Sequence, residues 1–332
     1  MIIIRLAWQS IFNRKFTTIL TILSIAVSTM MLLGVEKIRL AARTSFINTI
    51  SGTDLVVGSR TGDVQLLLYS VFHIGDATAN VTWKTLEDIK KRKEVKWIVP
   101  IALGDSHRGY RVVGTSSEYF NRFRYRRNIP LRFSEGRKFS DLFDAVIGAD
   151  VARKLNYKIG NQIVLAHGTG PVSIGKDHGD TPFQVSGILA PTGTPVDRAV
   201  HVSMEAIEAI HVGWETGSFT DQGEKNSPEN LRKMDLSPKE VTAMYVGLKT
   251  KMSTFSLQRW INAYLHEPIT AILPGVVFGQ LWSMIGSVEK TLFIVSSMVV
   301  FTAILGMIIS ILASLNERRR EMAILRSIGA KP

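Results

Sequence analysis

Few clusters in these 332 residues have the types and spacings to carry chemistry. "GPVSIGKD" (170–177) fits the G-x-x-x-x-G-K of a phosphate-binding loop, whose backbone amides cradle phosphates. It ends in Asp177, where such a loop needs a Ser or Thr hydroxyl on magnesium. The adjoining "HGDTPFQVSG" (178–187) lacks the helix whose N-terminus would hold the phosphates, so a loop between strands is expected. His107 in "GDSHRG", His167, and His178 in "KDHGD" stand near aspartates and could ligate zinc. No pair has the i,i+4 spacing of H-E-x-x-H, and they are expected as surface or loop histidines. There is no G-x-S-x-G elbow, and the absence of cysteine removes thiol nucleophiles, disulfides and Cys-ligated zinc. No catalytic residue, metal site or cofactor is expected in this chain. "NRFRYRRNIPLRF" (121–133) interleaves Arg122, Arg124, Arg126 and Arg127 with Phe123 and Tyr125. It reads either as a surface for anionic headgroups or an acidic partner, or as a solvated basic strand or turn.

The most ordered pattern closes the chain: "NERRREMAILRSIGAKP" (316–332). Asn316 can cap a new helical segment. Met322, Leu325 and Ile328 recur every three residues as an apolar stripe, with Arg318, Arg319, Glu321 and Arg326 off it. Gly329 is a natural helix stop. Three arginines would suffice for an anchor that only fixes topology. The stripe beyond them points instead to docking into a partner's groove.

The elements that would position this segment are greasy. Residues 16–35 and 291–315 carry no charge, and twenty helical residues cover about 30 Å, the thickness of a hydrocarbon core. A cleaved signal peptide is the alternative for the first, but its apolar stretch exceeds the usual length and no A-x-A site succeeds it. Net charge is +12, and half of the excess lies in residues 1–35 and 291–332, beside the two apolar stretches. That placement points to a membrane and away from nucleic acid. Arg14 and Lys15 precede one span and Arg318, Arg319 and Arg320 come after the other, so both ends are expected in the cytoplasm. Thr17, Thr21, Ser24 and Ser28, and likewise Thr302, Gly306, Ser310 and Ser314, fall on one face of each span, where a helix neighbour could pack. Residues 1–15 put Arg5, Gln9 and Asn13 on one face and read as a helix in the cytoplasmic interface.

Between the spans, residues 37–285 are expected as one extracytoplasmic α+β domain with two subdomains. Strand signals are "DLVVGS", "VKWIVPIAL", "YRVVGT", "DAVIG", "NQIVLAHG", "FQVSGILAP", "AVHVSM" and "AMYVGLK". Helical segments are 82–95, 149–157, "MEAIEAIHVG" and "LQRWINAYLHE", and 215–240 reads as a polar, mobile loop. From about 275 the chain turns apolar and helical, so residues 286–315 are expected as a stalk and second span.

Glu317, Arg318, Arg319, Arg320, Glu321, Met322, Leu325, Arg326, Gly329 and Ala330 resemble the E-R-R-R-E-I-x-x-L-R-A-L-G-A signature of the FtsX-like permease family, the MacB/LolC/LolE type of ABC transporter subunit. "LAWQSIFNRKFTTILTILSIAVS" resembles the family's opening. "DAVIGADVARKLNYKIGNQIVL" and "FQVSGILAPTGTPVDRAVHVS" resemble its periplasmic core domain. The resemblance implies a non-catalytic inner-membrane permease, a homodimer or heterodimer in the lipid bilayer, with ATP and magnesium held by a separate cytosolic ATPase. Residues 317–329, Ile328 included, would be the coupling helix. The periplasmic domain would do mechanical work on a lipoprotein, peptide or drug, and could meet a periplasmic adaptor or lipoprotein. Family members have four spans, so the resemblance implies two more, in a continued reading frame or a second polypeptide. A two-span periplasmic scaffold of the chain-length-regulator kind, with no ATPase, is the alternative.

Overall fold

The computed structural model describes residues 15–47, 49–168, 181–212 and 228–329. The expected interfacial helix falls outside them except for Lys15, as do "GPVSIGKD", His178 and Ala330. The chain divides into two compact units, Thr44–Leu281 and a helical unit of residues 1–43 and 282–332.

Among the described residues, the larger unit is built on an eleven-stranded mixed sheet. Its principal strands are β1 (Leu55–Ser59), β2 (Val95–His107), β3 (Tyr110–Thr115), β4 (Phe133–Gly136), β5 (Asp144–Ile147), β6 (Phe183–Leu189), β7 (Ala199–Ser203), β8 (Ala243–Leu248) and β9 (Ile269–Ile272). They lie in the order β9-β1-β8-β2-β3-β7-β5-β6-β4. Most neighbours are antiparallel; β7 runs parallel to β3, and β6 parallel to β5. Strands β1, β5, β7 and β8 are buried at every residue, which explains their unbroken apolar runs: both faces of the sheet are covered.

Alternation along each strand sorts side chains between the faces. Val56, Val113, Val146, Ala199 and Tyr245 enter one core that runs along the whole sheet. On the opposite face Leu55, Met244 and Val246 build a second core, and Val112, Ala145, Ile147 and Val200 a third. The two expected subdomains thus share one sheet, with a common core on one side and separate cores on the other.

The helices that cover the sheet are α2 (Asp63–Phe72), α3 (Trp83–Lys90), α4 (Glu118–Arg122), α5 (Ala149–Leu155), α6 (Met204–His211), α7 (Pro228–Leu231) and α8 (Thr254–Asn262). Thr82 caps α3 by accepting from the Thr85 amide at 3.4 Å, and Ser203 caps α6 by accepting from Ala206 at 3.0 Å. The outer edge of β9 is closed by α8: Asn262 Oδ1 accepts from the Ala271 amide at 2.7 Å, and Gln258 donates to the Ala271 carbonyl at 3.0 Å.

In the described part of 215–240, Pro228–Leu231 is a short helix with Leu231 buried in the third core, and residues 232–239 are turn and irregular chain, mostly exposed, from which Arg232 pairs with Asp141 at 2.8 Å. Glu240–Val241 then forms a short strand against Val81–Thr82. His107, expected as a surface or loop histidine, is instead buried at the end of β2, with Nδ1 2.7 Å from the Val164 carbonyl and Nε2 3.0 Å from the Tyr157 hydroxyl.

Candidate functional site

Two long helices carry the segments singled out for membrane crossing and docking: α1 (Lys15–Ile47) and α9 (Pro274–Ser327). Within them Thr18–Ala41 has mean hydropathy 2.1 and Lys290–Ile309 has 2.6, enough by length and composition to span a bilayer. At 1.5 Å per residue α9 is about 81 Å long. It runs without interruption through Asn316, so Asn316 does not cap a new helix. A cap needs the chain to enter from extended backbone, and here the preceding residues are already helical. The helix ends as expected: Gly329 takes φ +93°, and its amide donates to the Arg326 carbonyl at 3.1 Å.

Along the last three turns Arg319, Arg320, Met322, Arg326 and Ile328 are exposed, as is Ile324. Arg319 and Arg326 are seven residues apart, hence on one face, while Ile324 and Ile328 lie on another at i,i+4 spacing. Glu317, Arg318, Glu321 and Leu325 occupy helical positions in the same turns. Arg320 stands at i−4 to Ile324 and Met322 at i−4 to Arg326, so exposed basic and apolar side chains are neighbours on these turns.

The small residues of the spans divide. Ser28 is buried, and its hydroxyl donates to the Ser24 carbonyl at 2.8 Å, whereas Ser24, Thr302 and Gly306 are exposed. Thr17, Thr21, Ser310 and Ser314 hold helical positions. Ser296 is buried on α9 and is not in the expected set; it lies six residues before Thr302, off that face.

A second set of chemically notable groups lies inside the sheet. Among the described residues no three of His, Asp and Glu gather as a metal site. Asp197 is buried and accepts from the Thr192 amide and hydroxyl, both at 2.8 Å, and from the Gly193 amide at 2.7 Å, so it fixes a turn. His201 on β7 has no exposed surface, sits 5.2 Å from the Tyr119 ring, and places Nδ1 3.3 Å from the Val146 carbonyl. Among the described residues its Nε2 finds no hydrogen-bond partner. Burial pushes its pKa down to about 4, and burial, with the charges of His201 and Arg111, pushes His73 down to about 3. Depressed histidine pKa values mean that the unfolded chain binds these protons more readily. Stability is then complete above the unfolded value and is lost as pH falls through it. For His201 alone the loss between pH 7 and pH 5 is about 2 kcal/mol. Thermal unfolding of the domain at both pH values should show this slope, and His201→Leu should flatten it; an unchanged slope would show that the residue is not the titrating group.

Residues 18–264 match the MacB-like periplasmic core domain, and residues 293–332 match the FtsX-like permease C-terminal region. Among solved structures, the periplasmic region of MacB from Actinobacillus actinomycetemcomitans is 10% identical with a TM-score of 0.40, over 70% of this chain and 94% of that one. The extracellular domain of the noncanonic ABC-type transporter YknZ from Gram-positive bacteria is 14% identical with a TM-score of 0.38, over 66% and 99%. No curated protein matches.

Proposed function

Since the chain belongs to the MacB-like periplasmic core domain family and carries FtsX-like permease sequence, we propose that it is the subunit through which a cytosolic ATPase moves an extracytoplasmic domain. Its class is established by that membership: a transporter permease subunit, in a family that works with cytosolic ABC ATPases. The coupling is our reading, and one observation carries it. A single unbroken helix, α9, holds the exposed basic and apolar docking surface in its last turns. In its first turns it buries Val277 and Phe278 in the common core, with Phe278 edge-on to Phe72 at 5.7 Å.

In this reading, displacement at Arg319 would reach Phe278 along the one helix that carries both residues. The ATPase would supply nucleotide and magnesium chemistry, and this chain would bind it and transmit motion. Cargo in this reading is a periplasmic or membrane substrate such as a lipoprotein, peptide or drug.

The reading requires residues 316–329 and the sheet domain to face opposite sides of the membrane. Because the chain lacks cysteine, single variants Ser140→Cys and Ser327→Cys give unique labels at exposed sites. In intact cells an impermeant maleimide should label Cys at 140 and spare Cys at 327; labelling of both, or of neither until lysis, sinks the arrangement.

A further inference from the structure

The arginine-rich segment 121–133 folds as a hairpin whose basic side chains the coupling reading does not use. Arg124–Tyr125 and Ile129–Pro130 pair as a two-stranded antiparallel hairpin. Between Glu118 and Glu135 the chain has five arginines and no acid. Among the described residues only Arg122 is neutralised in this stretch, by Glu118 at 2.8 Å. Arg126, Arg127, Ile129 and Pro130 are all exposed at the tip, Tyr125 is half-buried, and Arg126 stands 5.9 Å from the Tyr125 ring. Arginine, tyrosine and apolar side chains on one small projection are the composition of a bilayer interface, where the cation meets phosphate and the ring sits at headgroup depth.

Its place in the fold supports that match. Ser51 donates its amide to the Arg124 carbonyl at 2.8 Å, which ties the hairpin to the chain four residues beyond the end of α1. The residues flanking it, Phe123 and Leu131, share a core with Ile50, just after α1, and with Val277 and Phe278, in the first turns of α9. The chain thus enters and leaves the domain beside this hairpin. From Val35, the end of the uncharged stretch, twelve residues of helix and a four-residue link reach Ser51, a path of at most about 32 Å.

We propose that the Arg126–Arg127 hairpin binds the phosphate of anionic phospholipid headgroups on the extracytoplasmic leaflet. It would anchor the domain where its chain leaves the bilayer. The proposal rests on the membrane arrangement under Proposed function but not on ATPase coupling.

The test uses the full chain in nanodiscs. Ile129→Cys, the only cysteine, carries a nitroxide whose immobilised and mobile populations report engagement. Discs of phosphatidylcholine alone are compared with discs containing phosphatidylglycerol, and the maleimide labelling at positions 140 and 327 checks the topology separately. The immobilised fraction should rise with phosphatidylglycerol. Arg126→Asn with Arg127→Gln should lower the bound-to-free ratio about thirtyfold, the equivalent of about 1 kcal/mol per arginine. Asn suits the positive φ of Arg126, so the hairpin keeps its backbone. Arg126→Lys with Arg127→Lys should restore most of the effect. Equal spectra in both discs overturn the proposal, as does a shift that survives the neutral double variant. Inorganic phosphate acting on the detergent-solubilised chain as strongly as the lipid would make the site one for a free anion. Immobilisation by polyglutamate but not by phosphatidylglycerol would make the partner an acidic protein.

Discussion

Arg319→Glu combined with Arg320→Glu is expected to abolish recovery of the ATPase with the permease, and Leu325→Asp, within the Met322, Leu325 and Ile328 repeat of the sequence, to do the same. Arg319 and Arg320 are exposed on the last turns of α9 and point away from one another, about 100° apart on the helix. Reversal converts two attractive contacts into repulsive ones. A charge pair desolvated in a docking groove is typically worth about 2–5 kcal/mol when one partner is lost. Two reversals therefore exceed the few kcal/mol that separate a recoverable complex from an undetectable one. A topological anchor predicts otherwise: it would lose orientation and keep no specific partner to lose. The label at position 140 separates the two cases. If the double variant is correctly inserted and the ATPase still co-purifies in full yield, these residues are an anchor and the coupling surface lies elsewhere.

How far the sequence reveals this arrangement depends on whether the signal is local. "YRVVGT" marks β3 to the residue, because a β-branched run sits between turn-forming residues, with Arg108 and Gly109 at positive φ just before it. By contrast "DVQLLLYSVF" carries no legible sign of α2. Its Leu66, Leu67, Tyr69, Val71 and Phe72 are all buried, so the segment lacks the polar face that marks helical period. The short edge strand β9 escapes for a related reason: "ITAI" is held by its ladder with β1 and by the partners α8 supplies to Ala271, contacts made in three dimensions.

The segment proposed for docking is legible because it is a run of adjacent residues. The burial of His201 and His107 is not. Each depends on neighbours from elsewhere in the chain, Val146 and Tyr119 for one and Tyr157 for the other. The continuity of α9 through Asn316 is hidden by a local cap signal that an already formed helix overrides. The fold and class are thus available from pattern, whereas the path joining Arg319 to the domain core requires coordinates.

That path predicts the second large effect. Phe278→Ala should cost the domain about 3–5 kcal/mol, because it empties a site shared with Phe72 and removes an edge-to-face ring contact. Val276→Ala, in the same turn but exposed, should cost almost nothing, so the comparison isolates the core contact from helix propensity. The functional consequence rests on the same geometry. With Phe278 removed, the first turn of α9 is held to the common core chiefly by Val277, and that turn can slip or fray under load. ATPase binding at Arg319 and Arg320 should be unaffected, while nucleotide-dependent changes in protease protection of residues 44–281 should shrink or vanish. Phe278→Leu, which refills much of the volume, should recover both stability and the protection change. If Phe278→Ala lowers the unfolding temperature yet leaves the nucleotide response intact, motion reaches the domain through α1 or through a partner, and α9 is a tether.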